Sequence, residues 1–159
     1  MRKLLYNQNL LFNRFTRLVE TNHQVITERF MNDLLKNSDT VAYKNINSYV
    51  IYESSDKIYR DLSTWIARDY PKEKIKEKYV KLGRERYAMN IPFPQVQKAM
   101  TLQRRHLWLF IMDKLYDDKT AYMEAIQLNN RVTLYFDRAT FFMLHGYQTE
   151  LKEAMQYYV

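Results

Sequence analysis

Apolar residues recur along this chain at three- and four-residue intervals, and almost nowhere at the alternate-residue spacing of a half-buried strand. Leu5, Leu11, Phe12, Phe15 and Leu18 predict a first helix over residues 4–20. Thr21 or Asn22 can cap a second, through Val25, Ile26, Phe30 and Leu34. The polar stretch "KNSDTVAYKN" reads as a loop. Asn45 or Asn47 then caps a helix to about Ala67, with Ile51, Ile58, Leu62, Trp65 and Ile66 on one side and "ESSD" as a point of weakness in its middle. Pro71 suits the first position of the next helix, and Glu73 favours its N-terminal dipole. That helix runs to about Met89, where Asn90 is placed for a left-handed stop. Pro94 opens a helix to about Tyr116, with Val96, Met100, Leu107, Phe110 and Ile111 as its apolar stripe, and residues 117–119 form a turn.

From Thr120 onward no proline occurs, and a fully helical segment there is about 60 Å long. A domain of this size spans roughly 30–40 Å. The last helix is therefore expected to project or to pack on a second subunit. Leu128, Val132, Tyr135, Ala139 and Phe142 follow the 4-3-4-3 spacing of a coiled-coil seam and predict a homodimer interface. Phe136, Phe141, Tyr147, Tyr157 and Tyr158 add to an apolar surface that suggests a partner. The chain closes on "LKEAMQYYV", which lacks a helix stop and favours continuation into another unit or burial in a dimer.

Composition agrees with one all-α domain. The chain has 159 residues, of which 47% are hydrophobic, with only two glycines and three prolines to make tight turns. It has no cysteine, which excludes disulfides, thiolate metal sites and a cysteine nucleophile, and is compatible with a reducing cytoplasm. No apolar run reaches the length of a membrane span. The net charge of +7 raises nucleic acid as a partner. However, Lys72, Lys74, Lys76, Lys78, Lys81, Arg84 and Arg86 alternate with Glu73, Glu77 and Glu85 at helical spacing, the pattern of a solvated helix face.

No phosphate-binding glycine loop, nucleophile elbow or metal-ligand pair is present, so the sequence points away from an enzyme. His23, His106 and His145 lack a second histidine or a carboxylate at i+3 or i+4. His106 and His145 stand as alternative haem ligands, against a simpler reading of both as hydrogen-bonded or surface histidines. Tyr87, Phe93, His106, Trp108 and Phe110 are candidates to line an internal pocket.

The stretch "LGRERYAMNIPFPQV" resembles the signature of bacterial globin-type sensor domains. In the haem-binding sensors a glycine is followed three residues later by the haem-ligating histidine, and six residues after that by a proline. Gly83 and Pro92 hold the outer places, but Arg86 stands where the ligand belongs. Arginine has no lone pair to give iron. A closer resemblance is to the N-terminal domain of the RsbRD type, from the RsbT co-antagonist proteins of bacterial stress signalling. It rests on "DTVAYKNI", "IYRDLSTWI", the central segment around Gly83, Pro92, Arg104 and Arg105, and "YFDRATFFMLHGYQTEL" with Asp137, Gly146 and Tyr147. The resemblance covers residues 38–152.

It implies a globin-like bundle of about six helices without a cofactor, dimeric, passing signals along its C-terminal helix to an output domain or signalling partner within a stressosome. A haem-based gas or redox sensor using His106 or His145 is one alternative, and a scaffold that senses nothing is another.

Overall fold

A computed structural model describes residues 14–67, 69–115 and 119–157. Among these residues the regular structure is entirely helical. Residues 14–21 form α1, followed by α2 (His23–Lys36), a 3-10 segment (Ser38–Asn45), α3 (Ser48–Arg60), the single turn α4 (Leu62–Trp65), α5 (Lys72–Ala88), α6 (Phe93–Leu115) and α7 (Lys119–Gln156). The expected positions Leu5, Leu11 and Phe12, the 117–118 turn and Tyr158 lie outside the described residues.

Local chemistry sets the boundaries. Asn22 precedes α2, but its side chain donates back to the Leu18 carbonyl at 2.8 Å instead of capping the new helix. The stretch expected to be a loop is helical: Asn37 Oδ1 accepts from the Asp39 N–H, and Thr40 Oγ1 donates to the Leu34 carbonyl at 2.7 Å, tightening the chain into 3-10 turns. Asn47 caps α3 through the Tyr49 N–H. "ESSD" does not weaken that helix, because Ser55 and Asp56 face inward; the break comes at Asp61. Pro71 sits one place earlier than expected, as the N-cap of α5. Asn90 takes the left-handed conformation (φ 59°) that ends the α5 segment.

α7 is one continuous helix of 38 residues, about 57 Å long. It packs along α5 and α6, while α2 lies against α3, α6 and the 3-10 segment. Val80 meets Gly146 and Arg84 meets Glu150, so α5 and α7 run side by side in the same direction. The five positions expected to form a dimer seam, Leu128, Val132, Tyr135, Ala139 and Phe142, are all buried within the chain itself. Their 4-3-4-3 spacing is a seam, but the groove it fills belongs to the chain's own helices. Phe136, Phe142 and Tyr147 are buried with them, whereas Phe141 and Tyr157 are exposed.

The two glycines mark the tightest point of this packing. A Cβ on Gly83 would overlap the Met143 carbonyl oxygen and lie 2.9 Å from the Tyr147 nitrogen. A Cβ on Gly146 would overlap the Val80 carbonyl oxygen. Both obstacles are helix backbone, which cannot rotate away. Neither glycine has positive φ, so each is required for space and not for conformation. Just beyond the crossing, Tyr147 Oη donates to the Ile91 carbonyl at 2.6 Å and ties α7 to the corner between α5 and α6. Either Gly83→Ala or Gly146→Ala is expected to cost about 1–3 kcal/mol or more by forcing α5 and α7 apart. Urea denaturation of the two variants measures this, and wild-type stability in both would contradict the assigned contact.

Candidate functional site

Gly83 and Arg86 lie on one face of α5, three residues apart, and both are buried. Arg86 is only 4% exposed. Its guanidinium donates to Ser54 Oγ at 3.2 Å and approaches the Met89 sulfur at 3.7 Å. Among the described residues no carboxylate comes within ion-pair distance of it. A neutral hydroxyl and a thioether do not offset the cost of taking a permanent cation out of water, which is on the order of several kcal/mol.

Arg86 borders a small interior cavity whose other walls include Phe30, Tyr43, Ser54, Tyr79 and Gln103. It offers about 20 Å³ to the centre of a water-sized molecule, room for one such molecule or a monatomic ion. Gln103 is fixed there: its side-chain amide donates to the Ser55 carbonyl at 3.0 Å, and its main-chain carbonyl accepts from Tyr59 Oη at 2.6 Å. Tyr43 is different. Its hydroxyl is buried and has no hydrogen-bond partner. Burial pushes its pKa up to about 12, opposed by the Arg86 charge and by the approach of the Arg86 guanidinium to the hydroxyl oxygen, which leaves the O–H itself without an acceptor. The cavity therefore brings together an uncompensated cation and an idle O–H donor.

The residues expected to line a pocket lie elsewhere. None of Tyr87, Phe93, His106 and Phe110 lines this cavity. Tyr87 and Phe93 pack edge-on against Tyr147, with ring centroids 5.4 and 5.3 Å away. Phe110 is a core residue, and Trp108 lies against Phe15. His106 Nε2 is 2.7 Å from Asp33 Oδ2, joining α6 to α2. His145 stacks on the exposed ring of Phe141 on the outer face of α7. The two histidines considered as haem ligands thus have separate positions, neither of them in the cavity wall.

Of the motif residues, Gly83, Arg86, Gly146 and Tyr147 converge around the α5–α7 crossing. Pro92 turns the corner, its carbonyl accepting from the Gln95 and Val96 N–H groups. Arg104 reaches Asp137 at 3.6 Å on the surface, and Arg105 is exposed. Sequence reading missed Tyr43, Ser54 and Gln103, which lie in the 3-10 segment, α3 and α6 and meet only in the folded chain.

A second polar cluster secures α2. Asp56 is buried and accepts from Thr27 Oγ1 at 2.8 Å, with His23 Nδ1 at 2.7 Å. At the other end of α2, burial tends to raise the Asp33 pKa, but hydrogen bonds from His106 and Asn37 and the charges of His106 and Arg105 hold it below the ordinary 3.8. Among the described residues no helix is long and apolar enough to cross a membrane, and no cluster of acids and histidines could hold a metal ion. Comparison with known protein families, with curated proteins and with solved structures finds no match to the chain.

Because the folded-state pKa of Asp33 is lowered, its contribution to stability is complete above the ordinary value of 3.8 and is lost as pH falls below it. Asp33→Asn is expected to flatten the acid limb of the stability curve below that pH. Denaturant midpoints at a series of pH values test this, and parallel curves for variant and wild type would refute it.

Proposed function

We propose that this chain is a haem-free sensory or regulatory module that takes a monatomic anion against Arg86. One observation carries the reading: a guanidinium with no acid beside it among the described residues borders a cavity in which the Tyr43 hydroxyl also lacks an acceptor. An anion would supply the missing charge and accept from both groups. The resemblance to non-haem globin-type sensors adds to this, since it puts Arg86 where other members hold their haem ligand. Met143 of α7 forms part of the cavity wall, so occupancy can bear directly on the helix expected to carry the signal.

Binding to the folded state raises stability by mass action, about 2.7 kcal/mol at one hundred times Kd. Chloride and bromide are therefore expected to raise the Tm of the wild type saturably. Arg86→Met, which replaces the charge with a side chain of similar length, is expected to fold and to lose this response. An equal response in both proteins would mean a general salt effect and would rule out the site. In parallel, a haemin titration is expected to give no saturable Soret band. A sharp band at one haem per chain would replace this reading with the haem-sensor one.

A homodimer remains part of the proposal, on a different surface from the buried seam. Leu134, Phe141 and Met155 are exposed at intervals of seven and fourteen residues along the outer face of α7. This is the spacing at which a second helix packs. Phe141→Asp is expected to convert a dimer to a folded monomer in sedimentation velocity. A dimer that survives the substitution would place the interface elsewhere.

A further inference from the structure

On the side of α5 near Trp65 lies a second buried cation with an unusual setting. Lys78 Nζ is sealed from solvent and has no hydrogen-bond partner. It stands 4.1 Å from the centre of the Trp65 ring and 5.3 Å from that of Tyr79. Trp65 Nε1 is also buried without a partner. The indole is held in place by Tyr70, edge-on at 5.0 Å, and by Tyr135, stacked at 6.2 Å. Two N–H donors thus sit together with no acceptor between them. Of the charges that act on it, Lys57 disfavours a second cation and Asp61 favours one.

The aromatic faces attract the ammonium, but they do not replace the hydrogen bonds it gave up on leaving water. Desolvation, followed by repulsion from Lys57, brings the Lys78 pKa down from 10.5 to about 8, with Asp61 opposing. A substantial neutral fraction therefore exists near neutral pH, and a neutral amine carries a nucleophilic lone pair.

We propose that Lys78 is a carbon dioxide site, where the free amine adds CO2 to form a carbamate that accepts a hydrogen bond from Trp65 Nε1. In the addition, the nitrogen lone pair forms the N–C bond and one C=O π pair moves onto oxygen. The nitrogen then releases one proton to solvent, leaving Lys–NH–COO⁻. No oxidant or further reactant is needed. The product supplies the acceptor oxygens that this place lacks, and Lys57 favours its negative charge while Asp61 opposes it. CO2 is small and uncharged, so it can reach an amine from which ions and bulk water are excluded. The flexible four-carbon stem of lysine lets the nitrogen move off the ring to admit the added group. This site is independent of any anion at Arg86.

The test equilibrates the whole wild-type chain with carbon-13 bicarbonate near pH 7.5, traps carbamates with a trialkyloxonium salt and maps them by peptide mass spectrometry. The lowered pKa gives Lys78 a neutral fraction roughly a hundredfold above that of an exposed lysine. Trapped label is expected at Lys78, far above that at exposed Lys152, together with a carbamate carbon resonance that is absent in Lys78→Arg. Trp65→Phe is expected to lower the Lys78 occupancy severalfold, and Arg86→Met to leave it unchanged. Label confined to the N-terminal amine, spread evenly over exposed lysines, or absent altogether in the wild type would overturn the site. Undiminished label in a folded Trp65→Phe would overturn the role of the indole.

Discussion

The backbone contact between α5 and α7 at Gly83 and Gly146 is the constraint on which the rest of the molecule depends. Each glycine leaves space for the other helix's main chain, so the two helices meet with no side chain between them. That contact fixes both the depth and the rotation of α5. With Gly83 facing α7, Arg86 almost one turn further on is carried into the interior. With Gly146 seated on Val80, Tyr147 is carried to the Ile91 carbonyl, and the corner after Asn90 is fastened. A packing requirement therefore accounts for the burial of a charge that would otherwise stay in water.

That burial is the main energetic tension in the fold. Several other interior polar groups are matched: Asp56 has His23 and Thr27, Gln103 has Ser55 and Tyr59, and Tyr79 and Tyr135 share a short hydroxyl contact. Burial raises the pKa of both tyrosines in that last pair, so they stay neutral and add no charge to the core. Arg86 cannot neutralise itself in this way. Lys78 can, and its pKa falls. On the proposed reading the two buried cations resolve the same difficulty differently, one by recruiting a negative group and the other by giving up a proton.

Much of the helical layout was legible in the sequence because spacing and caps are local. The Asn47 cap, the Asn90 stop and the single long helix after residue 119 follow from residues near one another in the chain. The fate of the 4-3-4-3 stripe was not legible. Leu128, Val132 and Tyr135 carry the same period whether they face a second subunit or α5 and α6, and only the tertiary arrangement selects between these. The 3-10 segment was missed because Thr40 bonds to Leu34, a contact that polarity alone does not suggest. Gly83 and Arg86 stood out as a motif, but their partners Tyr43, Ser54 and Gln103 carry no local signal. The aromatic residues expected to line a pocket do not border this cavity: Tyr87 and Phe93 pack on Tyr147.

The central claim is that a negative group completes the Arg86 cavity. The most direct measurement is a crystal structure of the wild-type chain grown in bromide, with anomalous data collected at the bromine edge. The account predicts an anion within hydrogen-bond distance of the Arg86 guanidinium and the Tyr43 hydroxyl, seen as a bromide peak. A cavity holding only water, with the guanidinium hydrated and no anomalous signal, would contradict it.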